Sequence, residues 1–569
     1  MKINKIKAMI PAAAFLLAAS ITSCTKDLDK GNINPNVESS ADMNGLYAKC
    51  YAGLIMEGND GNADFSIDDG GKSTLLRNVF NLNCLSTDES ICWWSDGGIV
   101  NLCYNLQTPG DLIVKFPYYR LVSNIGYCNH YIELFSDQNA TMLAEVRFLR
   151  AYNYYLMLDF YGDPSFTTTI SPEPPRQAHT YNPSYNSGES YTRAELLALG
   201  REFLFNWVKS EIEAAEPNLL APRPKTEADP DYGRIDKASA WLLLSRMYLN
   251  AGTYLNNDGQ NNPHWDKALS YAEKVINESG YELFDDTKIQ QVAKDNGYRP
   301  YDLLFMGDNG SNGASCEAIL PLKQDGQITQ GWGGSMFFIA AMWNPDMKTV
   351  TNKTAGTTAC DWSGMRARPQ LLEKFTSNPS LFVEKTAKEI RELGIDDRAL
   401  FYGKGHTLEM GANTDFNHGI PTVKWNNNYS NGGTPHDSYN VDIDFFLFRV
   451  AEAYLNAAEA AMQLYGPTNG KVNQYMDAIR NRAHAATKST YTLTDILDER
   501  AREFYFEGYR RVDLIRFNKY GGQDNYNWDY KNGVEDGSKK IKFAKTRNVF
   551  PLYADEIMAN SNLTQIDGY

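Results

Sequence analysis

The stretch MLAEVRFLRAYNYYLMLDFYGDP, residues 142–164, decides the fold class. From Met142 to Tyr161 nearly every residue suits a helix, and apolar side chains recur with the helical period. Gly162-Asp163-Pro164 then supplies the stop, because glycine and proline leave the helical backbone. The spacing predicts a helix over 142–161. The same period returns at Ala238–Ala251 and, after a Gly- and Asn-rich turn, at Trp265–Glu278, which reads as a helical hairpin. Small residues (Ala238, Ala240, Ala268, Ala272) alternate there with bulky ones (Trp241, Leu244, Tyr248, Leu269, Tyr271), as closely packed helix pairs require, and the layout is similar to a tetratricopeptide repeat. Further helical patterns cover Phe445–Tyr465, Val472–Ala486 and Thr494–Phe517.

Between these blocks, residues 285–440 are rich in Gly, Asn, Asp and Thr, with short apolar runs such as 318–322. That composition predicts a loop- and hairpin-rich insert between helical parts at about 110–284 and 441–520. The expected class is mostly α. Trp241 and Trp265, inside helical periods, are expected in the core.

Size and composition agree with a folded chain. Its 569 residues are 43% hydrophobic and 12% aromatic, so there is ample material for a core. The charge balance is 55 − 70 = −15, with no long Lys/Arg run, which disfavours a nucleic-acid partner held through its phosphates.

The N-terminus carries a processing signal. Lys2, Lys5 and Lys7 precede an apolar, Ala-rich stretch from Ala8 to Ile21 that is short for a membrane span. It ends in Ile21-Thr22-Ser23-Cys24, which resembles a bacterial lipobox. Cleavage after residue 23 and acylation of Cys24 are the expectation, leaving residues 24–569 with a charge of 52 − 70 = −18. Two or three acyl chains anchor a protein stably to a membrane surface without crossing it. The remaining cysteines, at 50, 84, 92, 103, 128, 316 and 360, are odd in number and include no C-x-x-C, so a redox motif or zinc ribbon is disfavoured and burial as small hydrophobes is expected.

Enzyme signatures are absent. No two of the seven histidines have zinc-site spacing, and there is no G-x-S-x-G elbow. Gly71-Lys72-Ser73-Thr74 imitates the end of a phosphate loop, but Ser66 stands where that motif needs glycine. Among 70 acidic residues a glycosidase pair would be recognised only by its spatial separation. Asp60, Asn62 and Asp64 begin a spacing like that of a calcium loop, the one weak metal candidate. Phe65 and Gly71 then break the pattern, so a polar loop rich in Asx turns is favoured. In DERAREFYFEGYRRVDLIRF (498–517), Glu499, Glu503 and Glu507 recur on one helical face and Glu507–Arg511 is spaced as a favourable pair. Ion pairing between neighbouring helices is the reading preferred over a catalytic acid cluster.

Taken together, AEVRFLRAY (144–152), YGRIDKA (232–238), LFRVAEAY (447–454), ERAREF (499–504), EGYRRVDLIR (507–516) and NLTQ (562–565) resemble the SusD/RagB family of outer-membrane lipoproteins of Bacteroidota. They occur in family order along the whole mature chain. The resemblance implies a mostly helical fold with four tetratricopeptide-like helix pairs as scaffold and a less regular ligand-binding part. It implies a non-enzyme that binds glycan at the cell surface and serves as lid to a SusC-like TonB-dependent transporter, with peptide binding or pure scaffolding as the alternative. No cofactor is implied.

The resemblance extends to the starch-binding prototype, whose glycan lies on an arc of three aromatic rings. Trp94, Trp332 and Trp362 match those rings, and Arg77 matches a polar contact. An asparagine contact of the prototype is Gly97 here, with Asp96 beside it, so α-glucan, fructan and host glycan all remain open as ligands. Asp69 and Arg368 are further candidates near the first and third rings. The residue chemistry agrees independently: the C–H face of a sugar stacks on an indole, its hydroxyls need Arg and Asp partners, and all three tryptophans sit in loop-like sequence.

Overall fold

The computed structural model describes residues 42–57, 70–410, 416–522 and 543–569. The chain divides into Met1–Ala48 and Lys49–Tyr569, and all that follows concerns the second part. Cys24, Asp60, Asn62, Asp64 and Asp69 lie outside the described residues.

The protein is mostly α-helical. After the short α1 (Leu75–Phe80) come the long α2 (Leu112–Phe135) and α3 (Ala140–Phe160). The side chain of Asn139 caps α3 by accepting the N–H groups of Thr141 and Met142, both at 3.0 Å. From Ala151 to Phe160 every residue of α3 is buried, because α2 lies on one flank and α4 (Arg193–Ala215) on another. A helix covered on several sides needs no polar stripe, which explains the apolar density of that stretch.

Next come α5 (Lys237–Leu249) and α6 (Trp265–Glu278), the predicted hairpin, with Trp241 and Trp265 buried as expected. Asp236 caps α5 and also accepts from Lys225 Nζ at 2.6 Å and the Tyr281 hydroxyl at 2.7 Å. Downstream lie α7 (Ser335–Met342), α8 (Val450–Tyr465), α9 (Gly470–Arg482), α10 (Leu493–Phe504) and α11 (Arg510–Arg516). α8 packs against both α6 and α9, extending the helical layer.

Of the short strands, β1 (Ser90–Cys92) and β3 (Met365–Ala367) bear on the site, while β2 (Ala318–Leu322) and β4 (Phe445–Arg449) lie elsewhere in the chain. β1 pairs antiparallel with β3, setting Ser90 opposite Ala367 and Cys92 opposite Met365, while β2 pairs antiparallel with β4.

Two helical expectations are corrected. The segment 445–465 is not one helix, because Phe445–Arg449 is extended and α8 begins only at Val450. FFLFR is apolar throughout, and periodicity cannot separate a buried strand from a buried helix over so few residues. The pattern over 494–517 is likewise two helices, interrupted between Phe504 and Arg510. Glu507 therefore leaves the helical row. It accepts from Arg449 Nε at 2.9 Å and Lys424 Nζ at 2.7 Å, while Arg511 pairs with Asp159 at 2.7 Å. The expected Glu507–Arg511 pair gives way to these long-range partners.

The charges of 498–517 do pair between elements. Buried Glu503 accepts from Arg398, Arg449 and Arg482, and Glu317 joins Arg449 at 2.6 Å and Arg482 at 2.9 Å. A network this dry persists only when each charge is matched, and its role is to lock the insert onto the C-terminal helices. All seven described cysteines are free, six of them buried, in line with packing use.

Candidate functional site

The β1–β3 ladder sets up the site. Its last rung hands over to a bond from Trp93 N–H to Gly364 O at 3.1 Å, so the loops carrying Trp94 and Trp362 leave the sheet side by side. The indole N–H of Trp94 donates to Ser363 O at 2.8 Å. Gly364 has φ of +102°, and a Cβ there would stand 2.3 Å from Trp94 Nε1. Only glycine allows this approach. Arg366 braces the same loop, donating to Ser363 Oγ at 2.7 Å and Phe416 O at 2.8 Å.

Trp332 comes from the turn before α7. Its backbone N–H donates to Glu57 Oε1 at 3.1 Å, and Glu57 is completely buried, which pushes its carboxyl pKa up. Arg77, on α1, lies with its guanidinium 4.5 Å from the ring centre of Phe337. Lys72 pairs with Asp96 at 2.8 Å, both partly exposed.

These residues meet. Trp94, Trp332, Trp362, Arg77 and Asp96 line one open cleft of about 460 Å³, together with Gly71 and Lys72. Trp332 and Trp362 stack face to face, with centroids 4.5 Å apart and planes 24° apart. Trp94 stands edge-on to Trp362 at 6.1 Å and 71°. The arrangement is thus a stacked pair with a perpendicular third ring, more compact than the arc that the resemblance implied. Short loops bring the apolar faces close enough to cover one another.

One candidate is corrected. Arg368 is 1% exposed and does not line the cleft. It follows β3, and its guanidinium reaches across β1 to the carbonyls of Ser90, at 2.9 Å, and Cys103, at 3.3 Å. One strand carbonyl and one helix-end carbonyl claim it as a structural donor.

Two residues escaped the sequence reading, Lys72 in the cleft and Tyr439 beside it. Lys72 was set aside with the false phosphate loop. Tyr439 is 44% exposed and stands edge-on to Trp332 at 5.5 Å and 88°. Its loop is tied to the Trp362 side, where Thr357 Oγ1 donates to Tyr439 O at 2.5 Å and Thr358 N–H donates to Ser438 O at 2.9 Å.

Among the described residues, one group has metal-ligand spacing: Asp325, His436 and Asp442. His436 Nδ1 lies 3.3 Å from Asp325 and 3.1 Å from Asp442, and Asp442 also accepts the Gly326 N–H at 2.8 Å. The imidazole and the backbone already satisfy these carboxylates, as in a hydrogen-bonded loop tie. No described helix is long and apolar enough to cross a membrane.

The sequence is 32% identical to starch-binding protein SusD of Bacteroides thetaiotaomicron, over the full length of both chains. The chain belongs to the SusD family. The pattern described as SusD family matches residues 347–569. Among solved structures, a SusD superfamily protein from Parabacteroides distasonis aligns with a TM-score of 0.62 at 16% identity, covering 93% of this chain and 98% of the other. Surface glycan-binding protein A from Bacteroides thetaiotaomicron, in complex with laminarihexaose, aligns with a TM-score of 0.61 at 17% identity, covering 92% and 98%. These likenesses carry the mostly helical SusD fold, and membership places the chain among binding proteins, not enzymes.

Proposed function

We propose that this SusD family member is a cell-surface glycan-binding lipoprotein. It is anchored in the outer membrane through Cys24, captures oligo- or polysaccharide in the tryptophan cleft and passes it to a SusC-like TonB-dependent transporter as that transporter's lid. The observation that carries the reading is the convergence of Trp94, Trp332 and Trp362, with Arg77 and the Lys72–Asp96 pair, on one open cleft. Indole faces offer an apolar shelf to the C–H face of a sugar, and the charged groups beside them match ring hydroxyls. The binding named for two similar proteins, starch in one and laminarihexaose in the other, supports a glycan ligand.

The test is affinity electrophoresis against α-glucan, fructan, β-glucan and host-type glycans. Wild type should be retarded by at least one polysaccharide, and Trp94→Ala, Trp332→Ala and Trp362→Ala should each weaken retention by ~10-fold or more. Unchanged retention in all three variants removes these rings from the site.

A further inference from the structure

A side pocket of about 40 Å³ opens off the cleft and shares Lys72, Arg77 and Asp96 with it. Leu112, Ile113 and Phe116 of α2 give it an apolar wall, and among its polar lining side chains one stands out: Asn81. Asn81 is 4% exposed, and its Oδ1 meets no hydrogen-bond donor. Nearby Asn78 behaves differently, giving its amide to Lys72 O at 2.9 Å and Thr74 O at 2.7 Å. A buried acceptor without a donor is costly, and native folds seldom leave one without a use. Asn81 also opens a π-helical turn, Asn81–Leu85, a rare geometry that recurs at functional sites. The doorway is Gly97, where a Cβ would lie 3.3 Å from Leu112 Cδ1.

We propose that this pocket is a subsite for the hydroxymethyl arm of a hexose unit bound in the cleft. The methylene rests on Leu112 and Phe116, and the hydroxyl donates to Asn81 Oδ1. The size fits: a cavity holds one water once the space open to a water-sized sphere passes ~10–15 Å³, so a pocket of about 40 Å³ admits a short arm. Gly97, standing where the resemblance placed an asparagine contact, exchanges a hydrogen-bonding side chain for access to Asn81. The inference rests on the glycan reading of the cleft and adds to it that hexose polymers are preferred over pentose polymers.

The experiment titrates the purified protein with maltohexaose and with its analogue in which every hydroxymethyl group is a methyl group. Wild type should prefer maltohexaose by ~10-fold, the worth of one neutral hydrogen bond at a prepared site. Asn81→Ala should bind the two alike, and Gly97→Val, which closes the doorway with a surface-facing change, should weaken maltohexaose toward the level of its analogue. Thermal unfolding of both variants confirms that they fold, and the wild-type preference needs no variant at all. Equal binding of both sugars by wild type, with binding still lost in Trp362→Ala, overturns the subsite and leaves the stacking site standing. Binding of neither sugar overturns the subsite together with the α-glucan form of the proposed function.

Discussion

Glu89 holds a carboxyl that is 1% exposed, and burial pushes its pKa up to about 7. It accepts the Phe506 N–H at 2.9 Å, one of the bonds that fix the turn before α11. Because the folded pKa exceeds the unfolded one, the native state keeps a proton that the unfolded chain has already released, and ionisation at higher pH weakens folding. Glu89→Gln removes that ionisation. It should raise stability at pH 8 by on the order of 2–3 kcal/mol, with the gain vanishing near pH 4, as read by denaturant unfolding at both pH values. At the cleft, Tyr439→Ala should weaken glycan retention by ~3- to 10-fold through loss of the edge contact to Trp332 and its exposed face. Retention equal to wild type would place Tyr439 outside the site. The tryptophans were legible because large apolar residues amid Gly, Ser and Thr have little core to enter. Tyr439 was not, since it is one of 35 tyrosines and lies far along the chain from the loops it joins. Arg368 misled because a guanidinium near a ring reads alike in sequence whether it faces ligand or backbone carbonyls.

The break between α10 and α11 shows what element-level reading can and cannot supply. Helical periodicity continues across 498–517, so a single helix was the natural expectation, yet Phe506 has φ of +61° and Gly508 of +87°. The turn exists because buried partners pull the chain out of line: Glu507 toward Arg449 and Lys424, and the Phe506 N–H toward Glu89. Those partners lie far away in sequence, and no local pattern announces them. α3 and the α5–α6 hairpin were legible, by contrast, because their caps, stops and apolar faces are all local. Gly508→Ala isolates the conformational cost of the turn. A Cβ there meets Val79 Cγ1 at 3.4 Å and Val79 O at 3.9 Å, both ordinary contacts, so the loss comes from the left-handed backbone. Stability should fall by ~1–2 kcal/mol, measured by denaturant unfolding, with glycan retention unchanged. A drop well beyond that would mean that the turn also transmits strain to the Glu507 cluster.

At the scale of the whole molecule, those buried carboxylates whose pKa is displaced fall into two opposed groups, and together they set the pH of greatest stability. In the first, burial is outweighed by cations: Arg398, Arg502 and Arg480 bring Glu499 down to about 2, Arg482, Arg449 and Arg398 hold Glu503 lower still, and Arg510 lowers Asp88. Their contribution is fully present above the unfolded carboxylate range and is lost as pH falls through the folded values. In the second, burial wins: Glu89 and Asp444 are pushed up to about 7, and Glu57, Asp163 and Asp308 are raised as well. These weaken folding as pH rises from the unfolded carboxylate range, ~4, toward 7. An excess of acids, 70 against 55 basic residues, adds repulsion on the alkaline side. The melting temperature should therefore peak near pH 5, fall steeply below ~pH 3 as the Glu499–Glu503 network is protonated, and decline by several degrees between pH 5 and pH 8. Thermal scans across that range at constant ionic strength decide it. A melting temperature at pH 8 equal to or above that at pH 5 would mean that the raised carboxyls find more charge compensation in the fold than their hydrogen bonds supply. Glu89→Gln, which flattens only the alkaline limb, separates that outcome from a general effect of net charge.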